Sequence, residues 1–238
     1  MTINISIVIP FFNEEKNLEI LIPKLIQNLK KIKKKKFEII LIDDCSTDQS
    51  LIVAKSKIRN SRFIIFKIIH LKNRSGQTGA FKSAFKIAKG KYIIRMDSDL
   101  QDNPKDIIKF VDKINLGYDL VIGKRHNRTH PLILIFYSNA YSFILRLFLN
   151  SNIRNYSSSF VAFNIRYLKN LQWNKNDHRY LPIITIMRGA KKITEIKVSH
   201  NKRKFGVSRY NLPKKIFLGI PEFILFLFRL YFGYYSKS

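Results

Sequence analysis

The stretch "YIIRMDSDLQDNP" (residues 92–104) joins a short apolar run to a loop that holds three aspartates. The apolar run has the length and composition of a buried strand. The whole chain carries 44 Lys and Arg against 16 Asp and Glu, a formal net charge of +28. Carboxylates gathered at the end of a buried strand in so basic a protein indicate a place where a cation or another ligand binds.

The same pattern of apolar runs followed by amphipathic segments extends over residues 5–123. Strands that alternate with helices predict an α/β fold, with a mostly parallel sheet and helices on both of its faces. Such sheets bind ligands beyond the carboxyl ends of their strands, which is where the aspartates lie. The predicted strands are 5–10, 37–44, 63–71, 92–97 and 119–123, and the predicted helices are 14–30, 48–58, 78–90 and 103–117.

The size and composition of the chain fit one α/β domain with a tail. It has 238 residues, of which 46% are hydrophobic and 13% aromatic, so a large core is expected and global disorder is not. Its one cysteine, Cys45, excludes an internal disulfide framework and suits a reducing compartment. The opening residues "MTINISIVIPFFNEE" lack a basic segment and a small-residue cleavage site, so we expect a strand there and no signal peptide.

The excess of positive charge favours anionic partners such as nucleic acid, phosphorylated substrates or an anionic membrane surface. A biased amino-acid usage, with Lys replacing Arg and Ile replacing Leu, is an alternative explanation of the same excess. The run "KKIKKKK" (30–36) is interpreted as a solvated helix end. No helix-turn-helix, zinc-ligand spacing or aromatic RNA-binding signature accompanies the charge, which argues against a nucleic-acid-binding protein.

Two long apolar segments, 131–150 and 216–235, lie beyond the alternating half of the chain. Each is close to the roughly 20 residues that span a bilayer, and each could also be a core helix. Glu222 and Arg229 lie seven residues apart on one helical face of the second segment. Because a charge near the bilayer centre costs about 2.5–3.5 kcal/mol, an amphipathic helix in the membrane interface is favoured over a spanning helix.

The Asp-x-Asp pair at the end of the fourth predicted strand is suited to a divalent cation. Hard Mg²⁺ or Mn²⁺ prefers oxygen ligands, and Mg²⁺ is commonly held by one or two carboxylates together with substrate phosphates. Asp97 and Asp99 could meet one ion, and Gln101 offers an amide oxygen in the same loop. The alternative is a plain loop, in which Asp102 or Asn103 caps the next helix.

Polar residues also follow the first two predicted strands. Glu14 comes after strand one, and Asp43 and Asp44 come after strand two. Carboxylates at this edge could accept hydrogen bonds from a ribose or a base. At Glu14 and Asp48 the alternative is helix capping and interaction with the helix dipole, worth about 0.3–1 kcal/mol.

Together these motifs resemble an inverting glycosyltransferase of family 2. They are most similar to its polyprenyl-phosphate sugar transferases, the dolichol-phosphate mannose synthase-like group, and the resemblance covers most of the chain. Its most specific part is the spacing Arg-x-x-Gly-x-Ser-x-Tyr in the last segment. The segments that carry it are "SIVIPFFNEEKNL" (6–18), "DDCSTD" (43–48), "NRSGQTGA" (73–80), "MDSDLQDNP" (96–104), "GKRHNR" (123–128), "HRYLP" (178–182) and "EIKVSHNKRKFGVSRY" (195–210).

The resemblance implies a GT-A fold in which a nucleotide-sugar donor lies across the carboxyl ends of the strands. It implies that Asp97, Asp99 and Gln101 hold Mg²⁺ or Mn²⁺ on the donor diphosphate. The other roles that it implies are donor binding for Pro10, Phe12, Glu14, Asp43, Asp44, Gln77 and Asp97, binding of the acceptor or of a donor or acceptor phosphate for Arg125, Arg128, His178, Arg203 and Ser208, and catalysis for Asp97, Asp99, Arg125, Asn155 and Arg203.

The chemistry of such a transfer agrees with these roles. A nucleoside diphosphate leaves with growing negative charge, which a metal ion and arginines stabilise. A lipid phosphate is already anionic, so it needs orientation and desolvation more than a general base. Two positions depart from the family pattern: Asn155 stands where Asp is common, and Cys45 stands where Gly is usual. Arg203 and His178 also have structural alternatives, as a solvated loop residue and a structural histidine.

We therefore expect a metal-dependent hexosyltransferase that moves a hexose from a UDP- or GDP-sugar to a polyprenyl phosphate, such as undecaprenyl or dolichyl phosphate. It would act on an anionic membrane surface at the cytoplasmic face, as a peripheral or monotopic protein, with a homo-oligomer or a separate membrane-protein partner as open possibilities. The alternatives are a family 2 transferase with a saccharide acceptor, a nucleic-acid-binding protein, and an inactive membrane-associated partner. The predicted domains are a catalytic domain at 1–212, which contains the 131–150 helix, and a membrane-associated segment at 213–238.

Overall fold

One mixed sheet forms the centre of the protein. The computed structural model describes residues 3–32, 35–125, 145, 153, 156, 158–206 and 212–236, with the backbone alone for 212–218. Its strands are β1 (Ile5–Phe11), β2 (Phe37–Asp43), β3 (Ile64–His70), β4 (Tyr92–Arg95), β5 (Leu120–Arg125), β6 (Val161–Asn164) and β7 (Ile193–Val198). The described strands lie in the order β3-β2-β1-β4-β6-β5-β7.

Most neighbouring strands are parallel, as the alternation of strands and helices predicts. β1 pairs in parallel with both β2 and β4, β2 pairs with β3, and β5 pairs with β7. All seven residues of β1 and of β2 are buried, because helices cover both faces of the sheet. The described α-helices are α1 (Glu15–Leu29), α2 (Ser50–Lys57), α3 (Gly76–Ile87), α4 (Ile107–Asn115), α5 (Leu181–Met187) and α6 (Leu212–Tyr231).

The two faces of the sheet bury separate cores. On one face, alternate residues of β1 such as Ile7 pack with α1, α2 and α4. On the other face, Val8 packs with α3, α5 and α6. This alternation follows from the two-residue period of a strand, which sends successive side chains to opposite faces. The predicted α/β architecture with helices on both faces is confirmed.

β6 is absent from the predicted element set. It is a four-residue strand that lies between β4 and β5 and runs antiparallel to both. Its pairing joins Tyr92 to Asn164, far apart in the chain. A run as short as "VAFN" shows no usable periodicity, and its antiparallel direction depends on which strands are already neighbours.

Gly90 has a different role from the predicted one. The sequence pattern makes it the residue that ends the third helix, but α3 ends at Ile87. A Cβ at Gly90 would lie 2.4 Å from the backbone nitrogen of Ser6, and the Gly90 amide donates to Ser6 Oγ over 2.9 Å. Glycine is needed here because the chain leading into β4 touches the start of β1.

α6 covers most of the second long apolar segment and packs on the body of the protein. Phe226 and Tyr235 are buried in the second core, and the Phe226 ring stacks on Tyr180 with ring centroids 3.9 Å apart. Glu222 pairs with Arg179 at 3.1 Å instead of with Arg229. No helix in the described ranges is both long and apolar enough to cross a membrane.

Two of the predicted boundaries stay predictions. Of the predicted 131–150 helix, only Leu145 lies within the described residues, where it is helical and fully buried in the second core. The division of the chain at residue 212 coincides with the first residue of α6.

Candidate active site

The carboxyl ends of β1, β2 and β4 meet at one edge of the sheet. β1 pairs with β2 up to Phe11 and Asp43, and it pairs with β4 up to Val8 and Arg95. The residues that follow each strand therefore lie side by side, as expected for parallel neighbours. This edge brings together the predicted donor-binding residues Pro10, Phe12, Glu14, Asp43, Asp44 and Asp97.

The loop after β4 presents the carboxylates of Asp97 and Asp99, both partly exposed. Burial, followed by the charge of Asp97, raises the pKa of Asp99. Asp97 Oδ1 is buried and has no hydrogen-bond partner among the described residues. Two mutually repelling carboxylates with an unused oxygen fit a divalent cation, which would remove the repulsion.

Gln101 stabilises the loop after β4 through its backbone. Its backbone N–H donates to Asp99 Oδ1 over 3.1 Å, and its carbonyl accepts from the Asn201 amide over 2.9 Å. In the described part of the chain, no group of three or more His, Cys, Asp or Glu side chains is arranged to hold a metal ion. An ion at Asp97 and Asp99 would therefore need further oxygen ligands, such as substrate phosphate and water. Asn103 accepts from the Lys105 amide, so the predicted capping residue after this loop does cap.

Asp102 is a third carboxylate in this loop, and it is fully buried. Arg125 Nη2 lies 3.8 Å from its Oδ1, and His200 Nδ1 lies 4.0 Å from the same oxygen. Burial, together with the charge of Asp97, raises the pKa of Asp102 to about 7. Arg125, at the end of β5, also donates to Ser159 Oγ over 2.7 Å. A predicted phosphate ligand, Arg125, thus stands next to the carboxylate loop.

Arg203 connects the first strand to the carboxylate loop. Its guanidinium donates to the Glu14 carboxylate, and Nη1 lies 3.9 Å from Asp99 Oδ2. Its Nε donates to the Phe205 carbonyl over 2.8 Å. A residue of the segment 195–210 therefore contacts residues of the segments 6–18 and 96–104.

Backbone contacts hold the segment that carries Arg203. Asp102 and His200 form an antiparallel bridge. The Ser199 amide donates to Asp106 Oδ2 over 2.7 Å, so α4 is tied to the same segment. These contacts make segment 199–206 and the loop after β4 one wall of the site.

The end of β2 forms the opposite wall. Asp43 is fully buried: Oδ1 accepts from the Ser46 amide over 2.9 Å, and Oδ2 lies 2.8 Å from His70 Nδ1. Asp44 accepts from the amides of Ser75 and Gly76 at 2.7 and 3.0 Å, so it anchors the start of α3. Both carboxylates have structural partners, and their roles in donor binding stay predictions.

Phe12 lies under a cation in this wall. The Arg74 guanidinium carbon is 3.8 Å from the centre of the Phe12 ring. Such stacking leaves a flat guanidinium next to the polar edge of the sheet.

Arg95 is a site residue that the sequence interpretation missed. It is only 4% exposed, and no carboxylate of the described chain forms an ion pair with it. Its guanidinium donates to the His178 carbonyl and, over 3.4 Å, to Gln77 Oε1. A charged residue inside the apolar run "YIIRM" is the signal that could have identified it.

His178 lies behind this arginine. It is 7% exposed, and Nδ1 lies 2.7 Å from the Thr78 hydroxyl. Burial, followed by the charges of Arg95 and Arg179, lowers the pKa of His178 to about 2. A neutral imidazole can hydrogen-bond to a phosphate but adds no positive charge to it, so the predicted role of His178 would have to be that of a neutral ligand.

Three predicted site residues, Arg128, Asn155 and Ser208, lie outside the described residues. The other predicted residues are brought to the carboxyl edge of the sheet or to the first turn of α3. Asp102 was expected only as a capping residue, and nothing in its spacing distinguishes a buried carboxylate from a loop carboxylate.

The chain matches known proteins in sequence and in fold. The family model "Glycosyl transferase family 2" matches residues 6–172. The chain is 31% identical over 213 residues to the undecaprenyl-phosphate 4-deoxy-4-formamido-L-arabinose transferase of Pectobacterium atrosepticum, covering 90% of this chain and 64% of that protein. It is 27% identical over 231 residues to the dodecaprenyl-phosphate galacturonate synthase of Rhizobium johnstonii, covering 95% of this chain and 68% of that protein.

A solved structure agrees with the observed fold. The glucosyl-3-phosphoglycerate synthase of Mycobacterium tuberculosis, solved in complex with Mn²⁺ and UDP-glucose, superposes with a TM-score of 0.64 at 17% identity. The superposition covers 89% of this chain and 73% of that one. The predicted GT-A fold is confirmed by this likeness. Since the family model covers well over half of the chain and includes the loop after β4, the chain belongs to glycosyl transferase family 2.

Proposed function

We propose that this chain transfers a sugar from a nucleoside-diphosphate sugar to a polyprenyl phosphate at a membrane surface. The single observation that carries the proposal is the convergence of Asp97, Asp99, Glu14 and Arg203 on one edge of the sheet. The two polyprenyl-phosphate relatives support the acceptor class, and their likeness extends over 90% and 95% of this chain.

Asp97 and Asp99 are the proposed ligands of Mg²⁺ or Mn²⁺, with Gln101 completing the loop that carries them. Such an ion neutralises charge on a diphosphate. Arg203 would then exchange its present carboxylate partners for phosphate oxygens, for which a planar guanidinium is suited. Arg125, at the other side of the loop, would contact another phosphate of the donor or the acceptor.

The proposed chemical step is a direct displacement with inversion. An oxygen of the lipid phosphate attacks the anomeric carbon, a new C–O bond forms, and the bond to the nucleoside diphosphate breaks. The nucleoside diphosphate leaves with the bonding electron pair. Because the attacking phosphate is already anionic, no general base is needed, and the protein supplies position and charge stabilisation.

α6 supports the proposed membrane attachment. Its exposed side and the residue that follows it carry apolar and aromatic side chains that are each about half exposed or more: Ile224, Leu225, Phe228, Tyr231 and Phe232. Aromatic and aliphatic side chains on one face are suited to the headgroup boundary of a bilayer. The net charge of +28 would add attraction to anionic lipids. We place this attachment at the cytoplasmic face, where nucleotide sugars are available.

The test compares Asp99→Asn with Asp112→Asn, the same change at an exposed position on α4. Transfer from a panel of UDP-, GDP- and dTDP-hexoses to undecaprenyl phosphate is measured with Mn²⁺. We expect Asp99→Asn to lose at least about 100-fold in turnover with an unchanged melting temperature, because it removes transition-state charge stabilisation. Asp112→Asn should match the wild type.

Two outcomes would contradict the proposal. Full turnover in excess chelator would exclude the metal assignment. Equal transfer to a water-soluble saccharide, with the protein remaining unbound to lipid at low salt, would favour a polysaccharide acceptor. A thermal-shift screen with the same donors identifies the base independently of the acceptor.

A further inference from the structure

A cavity of about 380 Å³ lies between the first turn of α3 and segment 173–178. Its walls are held together directly. Thr78 Oγ1 accepts from the Asn176 amide over 3.1 Å and lies 2.7 Å from His178 Nδ1. The volume is at the lower end for ligand pockets, which run from about 300 to 1,000 Å³. It suits a single small ring better than a whole nucleotide sugar.

Arg95 joins this cavity to the carboxylate loop. Its guanidinium donates to Gln77 Oε1 and to the His178 carbonyl, and both residues line the cavity. Arg95 is the last residue of β4, and Asp97 follows it in the loop that carries the proposed metal ligands. The cavity therefore adjoins the place proposed for the diphosphate of the donor.

The lining has the chemistry of a carbohydrate site. Trp173 contributes a flat apolar ring, which packs edge-on against Phe85 at 5.2 Å. Gln77, Asn174 and Asn176 contribute amides, and the buried Asn174 Nδ2 has no hydrogen-bond partner among the described residues. An aromatic face covers the C–H side of a sugar ring, and amides pair with its hydroxyls.

The charged side chains that line the cavity are all positive. Lys82 and Lys175 line it, and none of its described lining residues is Asp or Glu. A neutral sugar would find no carboxylate there to accept from its hydroxyl groups. A carboxylate on the sugar would meet two ammonium groups in the lining. The carboxylate of Glu222 contacts the lining residue Asn176, but it is also paired with Arg179, which offsets its charge.

We propose that this cavity receives the transferred sugar and favours a sugar that carries a carboxylate, a hexuronic acid, over a neutral hexose. The inference rests on the proposed function for the identity of the donor. Because both lysines are exposed, they supply only a modest preference, about tenfold in dissociation constant.

Trp173 makes the cavity directly observable, because it is the single tryptophan of the chain. Its fluorescence is titrated in the full chain with Mg²⁺ and two donor pairs, UDP-glucuronate against UDP-glucose and GDP-mannuronate against GDP-mannose. UDP and GDP alone give the contribution of the nucleotide. Calorimetry on the same samples measures total binding.

The variant Lys82→Gln/Lys175→Gln removes both cavity charges. Its matched control, Lys86→Gln/Lys191→Gln, removes two exposed lysines that do not line the cavity. We expect the acidic donor of one pair to change Trp173 emission and to bind about tenfold more tightly than its neutral counterpart. The cavity variant should lose that preference and the control should keep it.

Equal or tighter binding of the neutral donors would overturn the acid preference. Donor binding by calorimetry without any change in Trp173 emission would overturn the assignment of the cavity to the sugar. If none of UDP, GDP and dTDP binds with Mg²⁺, the proposed function fails instead. In that case the cavity is tested without a nucleotide, by titrating the chain with free glucuronate and with free glucose and following Trp173 emission. An equal response to both sugars overturns the inference.

Discussion

Arg203 bridges the carboxylate groups of Glu14 and Asp99 in the structure. The side chain of Arg203 is a quarter exposed, so the ion pairs contribute at most about 1 kcal/mol to stability. The same positive charge competes with any cation that Asp99 would bind. At the scale of the residue, therefore, Arg203 affects ligand binding more than folding.

We predict that Arg203→Ala lowers turnover by about 100-fold and shifts the melting temperature by no more than a few degrees. In the absence of donor, the variant should bind Mn²⁺ several-fold more tightly, because the competing guanidinium is gone. Calorimetry and a transfer assay measure the two effects. Lys202→Ala, an exposed change in the same segment, is the control. Wild-type turnover in Arg203→Ala would mean that this segment is only a basic surface loop.

The lowered pKa of His178 makes the free energy of unfolding depend on pH. Its pKa is lowered to about 2 by burial and by the charges of Arg95 and Arg179, against about 6.5 in an unfolded chain. Below pH 6.5 the unfolded chain binds one proton that the folded chain does not bind. The free energy of unfolding must therefore fall as the pH falls through this window, down to the folded pKa.

We predict that His178→Gln makes this decline shallower, by up to about 1.4 kcal/mol per pH unit. Urea unfolding of the wild type and the variant between pH 4.5 and 6 measures the two slopes. Between pH 7 and 8 both proteins should show the same slope, because the histidine is neutral in both states. Parallel curves over the acidic range would show that His178 is not held neutral.

At the scale of the elements, the close approach of β1 and the chain before β4 sets the position of the carboxylate loop. Ser6 Oγ accepts from the Gly90 amide and donates to the buried Glu38 carboxylate over 2.7 Å. Three neighbouring parts of the sheet are thus joined at the end opposite the site. The register of β4 against β1 determines where Asp97 emerges.

We predict that Gly90→Ala destabilises the protein by about 1–3 kcal/mol, because the new Cβ would lie 2.4 Å from the Ser6 nitrogen. Denaturant unfolding measures this loss. Gly219→Ala, in α6, meets no atom within 4 Å of the new Cβ. It should leave stability unchanged or raise it by up to about 1 kcal/mol. Equal stability of Gly90→Ala and the wild type would contradict the close approach.

At the scale of the whole molecule, α6 links the proposed membrane surface to the candidate sugar cavity. Its buried side holds segment 174–180 through the Phe226 stack on Tyr180 and through Glu222, which binds Asn176 and Arg179. Tyr235 donates to Asp177 Oδ1 over 2.7 Å. The same segment forms one wall of the cavity.

We predict that the triple variant Phe228→Ser/Tyr231→Ser/Phe232→Ser binds anionic vesicles at least about tenfold more weakly than the wild type, with unchanged thermal stability. These side chains are 56%, 76% and 75% exposed, so little packing is lost with them. Flotation with vesicles at low and high salt measures binding. Phe226→Ala is the contrasting change: it removes a buried ring and should cost about 3–5 kcal/mol of stability. Unchanged flotation of the triple variant would exclude this face as the lipid contact.

The sequence alone was sufficient for the order of the first strands and helices and for the edge of the sheet at which the carboxylates lie. Apolar runs of five or more residues, separated by amphipathic segments, leave few alternatives to a mostly parallel sheet. In such a sheet the residues after each strand must share one edge. Asp97, Asp99, Glu14 and Asp43 could therefore be assigned to one site before any contact was known.

Only the tertiary structure decided what each of these side chains touches. Arg203 meets Glu14 across 189 residues of chain, Arg95 is buried without an ion-pair partner among the described residues, and β6 enters between β4 and β5. Local pattern records which face of an element is apolar, but not which distant segment will cover it. Pairings across the chain follow from the packing of complete elements. That packing determines which arginines enter the site and which segments form the walls of the cavity.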